Sequence, residues 1–178
     1  MKLYRYSPIQ NIEELMIAWQ HIHEACHKLC FDIFGRYLDN SGNLGIFCHY
    51  DDEYERLVKV REILTEPSDI PNQKYYKLYE PIVFEKTDMS PKWIYTHLYI
   101  RKPDPYRHHV GDLDFYLPPE EYTVLKQALE NGNHLPWARI FPRTDLDMIE
   151  LFDPDIDTLA YISTKMMAER VKIQQKIK

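Results

Sequence analysis

The sequence predicts an α+β fold. The expected form is a mostly antiparallel sheet of about five to six strands, packed against a long N-terminal helix and two to three further helices. Three observations lead there. Residues 11–38 carry apolar side chains at helical spacing with no proline. From Lys74 onward the apolar period changes to two, which is the period of strands. Clusters of Asn, Asp, Gly and Pro cut the chain into segments of element length. With 178 residues, 44% of them hydrophobic, the chain can bury one core, and 1–178 is read as a single globular domain.

The elements follow in chain order. Lys2 to Ile9 alternates weakly and is read as a short edge strand. Asn11 is the N-cap of the long helix, and Glu13 and Glu14 favour its positive end. On the helical wheel Ile12, Leu15, Trp19, Ile22, Cys26, Leu29, Cys30, Ile33 and Tyr37 share one arc, with His23 inside it and His27 at its margin. The stop is assigned to Asp39-Asn40-Ser41-Gly42-Asn43. Leu44–Tyr50 is an apolar run read as a strand, and a helix spans 51–64. Residues 66–73, with two prolines, form a loop. Strands are expected at 75–85, 93–101 and 110–117, and a helix begins at Pro119 and ends before Asn131-Gly132-Asn133. Two strands follow, at 137–141 and 147–152. Asp155 to Ile177 closes the chain as one helix, with Leu159, Ile162, Met166 and Ile173 inward and a basic C-terminal end. No internal sequence repeat is visible.

Composition excludes several classes. Five glycines, with no G-x-G-x-x-G or Walker-type loop, leave no phosphate cradle. A net charge of −6 speaks against general nucleic-acid binding. No signal peptide and no run of about 20 apolar residues is seen, so no membrane partner is expected. Three cysteines fit free thiols and a cytoplasmic location.

Three groups of residues carry chemistry. His23-Glu24-Ala25-Cys26-His27 fits the H-E-x-x-H pattern, in which two histidines one turn apart bind zinc and the glutamate activates water. Only ten residues precede this helix, Lys28 follows the motif directly, and no second motif supplies a third ligand, so core histidines are the preferred reading. Asp112-Leu113-Asp114 places two carboxylates on one face of a strand, and Glu150 adds a third from another strand. This set resembles the acids of nucleotidyltransferases, which hold two Mg²⁺ for phosphoryl transfer. The Gly-Ser turn of that family is absent from 99–105. Finally, His97, His108 and His109 lie on or beside these strands. A hairpin between the Trp93 and Val110 strands would bring His97, His109, Asp112 and Asp114 together. The vicinal-oxygen-chelate enzymes are similar only in placing a His on one strand and a Glu on a later one, here His97 and Glu150.

The leading expectation is a small enzyme acting by metal-assisted hydrolysis or group transfer on a small-molecule substrate. His97, Asp112, Asp114 and Glu150 would bind a divalent metal (Zn, Mn or Mg), with His109 and Tyr99 as acid/base or orienting groups. The alternative is a non-enzymatic module, homo-oligomeric or regulatory. It rests on 13% aromatic residues, many of them strand tyrosines that suit interfaces. A zinc peptidase through His23, Glu24 and His27 is the minor third reading.

Overall fold

The computed structural model describes residues 4–70, 72–133, 135–141 and 148–169. Its elements are α1 (Ile12–Phe34), β1 (Asp39–Asn40), β2 (Asn43–Phe47), α2 (Asp51–Leu64), β3 (Tyr76–Phe84), β4 (Trp93–Arg101), β5 (Gly111–Tyr116), α3 (Pro119–Glu130), β6 (Ala138–Phe141), β7 (Met148–Leu151) and β8 (Thr158–Ser163). A further helical stretch covers residues 165–169. Mixed α and β content and a mostly antiparallel sheet are as expected, but the sheet has eight strands rather than five to six. Among the described residues no helix is long and apolar enough to cross a membrane.

The strand order is β3-β4-β2-β5-β8-β7-β6, with β1 beside β5. Two pairings are parallel, β2 with β4 and β5 with β8; the others are antiparallel. The pattern occurs twice. β5 is followed by α3, then β6, β7 and β8, and β8 returns parallel to β5. β2 is followed by α2, an isolated bridge at Thr65 onto Leu78 of β3, then β3 and β4, and β4 returns parallel to β2. The topology therefore repeats although the sequence does not. The two units meet where β1 and β2 lie against β5.

Several expectations are corrected. The Trp93 and Val110 strands do not form a hairpin, because β2 lies between β4 and β5 and pairs with both. Residues 158–163 form β8, not the first turns of a helix. Leu159 and Ile162, three apart, share a face on a helix, but on the strand they point to opposite faces, and both faces are buried, since all six residues lie between β5 and β7. The expected continuation of that helix at 170–178 lies outside the described residues. Of the expected N-terminal strand, residues 2 and 3 lie outside the described residues and 4–9 form no strand: they are tied down by the buried Glu53 carboxylate, which accepts from Ser7 Oγ (2.8 Å) and Ile9 N (2.7 Å). Helix α1 ends four residues earlier than expected, because Gly35 adopts a left-handed cap at φ 67° and its N–H closes on Phe31 O.

Helices α1, α2 and α3 pack on one face of the sheet. α1 lies across β8, β5 and β2, α2 against β4 and β3, and α3 against β6. The core residues of that face include Leu44, Ile46, Leu98, Ile100, Leu113, Phe115, Ala160 and Ile162. Tyr95 joins them, contrary to simple alternation along β4. The amides of Thr96 and His97 both donate to Gly42 O (2.9 and 3.1 Å), so β4 carries one extra residue there. That bulge turns Tyr95 inward and leaves Ile94 exposed.

The two central strands each contribute a glycine. Gly111 faces α1: a Cβ there would lie 2.2 Å from Gly45 O and 2.6 Å from Ile22 Cδ1. The helix is seated that close only because the position is bare. Gly111→Ala should therefore cost about 2–3 kcal/mol. For a chain of this size the melting temperature should fall by roughly 4–12 °C, as read by circular dichroism. A melting point unchanged within a degree would show that the helix does not depend on this contact.

Candidate active site on the open face of the sheet

The face away from the helices carries a cavity of about 220 Å³. β4 contributes Tyr99 and Arg101, β5 contributes Asp112 and Asp114, and β7 and β8 contribute Met148 and Tyr161. Lys74, Arg107 and Phe141 complete the lining from the ends of the strands and their connections. The site thus straddles the junction of the two units.

Asp112 forms its floor. It is 9% exposed, and among the described residues no hydrogen bond reaches its carboxylate. Gly45 lies directly opposite on β2, and a Cβ there would fall 1.9 Å from Asp112 Oδ1. The carboxylate therefore occupies the space that any other residue would fill. Burial, and then the charge of Asp114, push Asp112 up to about 7, against the pull of Lys74, Arg101 and Arg107. Asp114 accepts from Tyr75 Oη at 3.2 Å.

Glu150 is fully buried behind this floor and belongs to a charged chain. Arg139 Nε donates to its Oε1 at 2.7 Å, and Arg139 Nη2 donates to the same oxygen. Tyr161 Oη donates to Oε2 at 2.9 Å. Arg107 Nη1 in turn donates to Tyr161 Oη at 2.9 Å and lies 3.5 Å from Glu150 Oε2. With two guanidiniums and a phenol on it, Glu150 fixes Arg107 at the cavity wall.

The residues singled out from the sequence are distributed as follows. Asp112, Asp114 and Tyr99 line the cavity together. His97 is two positions from Tyr99 on β4, where its Nδ1 shares a hydrogen bond with Thr96 Oγ1 (2.9 Å). β2 separates β4 from β5, a gap of about 10 Å at ordinary strand spacing. Glu150 is separated from β5 by β8. Among the described residues no group of three or more His, Cys, Asp or Glu is placed to hold a metal ion. His109 lies outside the cavity lining and stacks on His108 at 4.5 Å. Burial, followed by the charges of His108 and Arg107, brings its pKa down to about 4, so it is neutral at pH 7.

The H-E-x-x-H histidines are core residues on the helix side. His23 Nδ1 shares a hydrogen bond with Tyr95 Oη (2.8 Å), and its Nε2 donates to Pro91 O (3.1 Å). His27 sits among His23, Tyr37, Trp93 and Phe115, without a hydrogen-bond partner among the described residues. Glu24 is engaged by Gln20 Nε2 at 2.7 Å. The zinc-peptidase expectation is corrected: both nitrogens of His23 are occupied by protein groups, and among the described residues no third ligand is placed to hold a metal with His23 and His27.

Sequence reasoning missed Lys74, Tyr75, Arg107, Tyr161 and Gly45. The isolated glycine in Leu44-Gly45-Ile46 is a legible signal of close approach within a strand. Lys74 and Arg107 lie in segments whose place only the topology determines.

No protein-family model and no curated protein matches the sequence. Among solved structures, the chain is similar to a variant of Streptomyces coelicolor methylmalonyl-CoA epimerase in complex with 2-nitronate-propionyl-CoA. The identity is 14% and the TM-score 0.30, over 71% of this chain and 98% of that one. A likeness at that level carries no chemistry over to this chain.

The raised Asp112 has a consequence for stability. Its folded pKa of about 7 lies above the ordinary 3.8, so the folded state holds the proton more tightly. The associated stability is fully present below about pH 4 and is lost as pH rises through 7. Asp112→Asn, which cannot ionise, should gain stability over the parent between pH 4 and 7 and keep that gain at pH 8. Urea unfolding at pH 4, 6 and 8 measures it; a difference independent of pH would contradict the assignment.

Proposed function

We propose that the protein is a small-molecule enzyme whose active site is the open-face cavity, with Asp112 as the group that takes up and returns a proton. The observation that carries this is the Asp112 carboxylate itself: buried, seated over Gly45, crowded by Asp114 and turned into a cavity. Natural cores do not leave an acid in such a place without cause, since burying an uncompensated carboxylate is costly. A pKa near 7 keeps both its acid and its base form populated at neutral pH, which is the optimum for proton transfer. Lys74, Arg101 and Arg107 supply positive charge on the same lining, where negative charge developing on a substrate is stabilised. Tyr99 is the orienting group in this reading.

A second reading is favoured by the same acid pair. Two carboxylates on one strand face relieve their repulsion by sharing a proton, and a divalent cation does the same. Asp112 and Asp114 would then be the protein ligands of Mg²⁺, Mn²⁺ or Zn²⁺. His97 and Glu150, expected from the sequence to join them, would need β4 and β7 side chains to reach across a strand. His109 would act only through Arg107.

Carboxyl ¹³C NMR titration separates the two. Proton chemistry predicts one aspartate midpoint near pH 7 that disappears in Asp112→Asn and moves upward in Lys74→Met, because Lys74 favours the charged form. A midpoint below pH 5 would sink the proposal. Metal chemistry predicts that Mn²⁺ raises the melting temperature of the parent and not of Asp112→Asn.

A further inference from the structure

The cavity lining carries two kinds of recognition element. Tyr99 of the lining and Tyr75, which stands behind it and bonds the lining residue Asp114, have rings 5.5 Å apart, and the Lys74 ammonium lies 4.5 Å from the Tyr99 centroid and 5.0 Å from that of Tyr75. Asp114 is tied to the Tyr75 hydroxyl, and Asp112 opens into the same space with no donor on it among the described residues. Aromatic faces beside carboxylates make a cage for a cation. In its ionised form Asp112 only accepts hydrogen bonds, so the group that completes that form is a donor. Lys74 fills the cage from the chain's own side, on the stretch between α2 and β3.

The second element is the guanidinium pair. Arg101 bonds Asp104 at 2.6 Å, and Arg107 bonds Tyr161. Each guanidinium carries five N–H groups, so both keep donors beyond those bonds. Their planar forks match a carboxylate or a phosphate. At about 220 Å³ the cavity is smaller than the roughly 300–1,000 Å³ of sites for drug-sized ligands.

On the reading of this cavity as the substrate site, we infer that its ligand is a small zwitterion. The ligand's ammonium replaces the Lys74 amine between Tyr75, Tyr99 and the two aspartates, and its acidic group lies against Arg101 and Arg107. Lys74 is then an internal competitor. It keeps the cage filled in the free protein and swings to solvent on its flexible four-carbon stem when the ligand enters.

The test uses glycine, β-alanine and γ-aminobutyrate as zwitterionic probes, with propionate and propylammonium as single-charge controls. Affinity is read by calorimetry and location by amide NMR shifts of residues 111–116, for the full chain and for Lys74→Met. The expected result is that at least one zwitterion shifts those amides and binds about tenfold more tightly than either control. Lys74→Met should tighten that zwitterion by about two- to tenfold, in keeping with loss of a competing cation–π contact. Propionate binding as tightly as the zwitterions, or weaker zwitterion binding in Lys74→Met, would overturn the inference. Lys74 would then hold an anion, and the cavity would remain the substrate site. If no probe shifts residues 111–116 in either protein, the zwitterion fails, while the Asp112 titration judges the active site independently.

Discussion

The structure depends on how closely β2 and β5 approach each other and their neighbours on both faces. Gly45 and Gly111 leave those faces bare. On one side α1 settles onto the sheet through Ile22, and on the other the Asp112 carboxylate drops into the gap opposite β2. Core burial and site geometry are therefore set at the same ladder. A methyl group at either glycine meets an atom well inside van der Waals contact: backbone at Gly111, and the carboxylate at Gly45.

From that ladder the rest follows by topology. Each unit closes on itself through a parallel return, and both units place their helices on the same side. Among the described residues none of α1, α2 and α3 covers the other side of the sheet, and there ionisable side chains from alternate positions can gather without breaking the core. The Arg139–Glu150–Tyr161–Arg107 chain shows how the charges are carried. The buried acid is compensated by two guanidiniums, so the cavity wall presents a cation whose position is held from behind.

Much of this was legible from residues alone. The period of three to four in Leu15, Trp19, Ile22 and Cys26 placed α1, and Pro119 placed the start of α3. The alternation in Asp112-Leu113-Asp114-Phe115 put the acids on the face opposite the core. What was not legible is non-local. Nothing in Leu44–Phe47 says that it inserts between the 93–101 and 111–116 strands, because parallel pairing leaves no turn signature. β8 was hidden because Leu159 and Ile162 fit a helical spacing, while a strand buried on both faces shows no alternation of its own. Without β8 and β2 in place, Lys74, Arg107 and Tyr161 could not be assigned to a common site. The H-E-x-x-H match had the right spacing and the wrong surroundings: its histidines face aromatic rings and a backbone carbonyl.

The segment 102–109 joins the two units and also supplies Arg107 to the cavity. Lys74, Tyr99 and Arg101 come from the first unit, and Asp112, Asp114 and Tyr161 from the second. Neither half owns a site by itself. A break within 102–109 would leave every ladder inside one fragment or the other, except those that join β1 and β2 to β5. Function regained on mixing two such fragments would then report the healing of one seam, with α1 as the clasp across it.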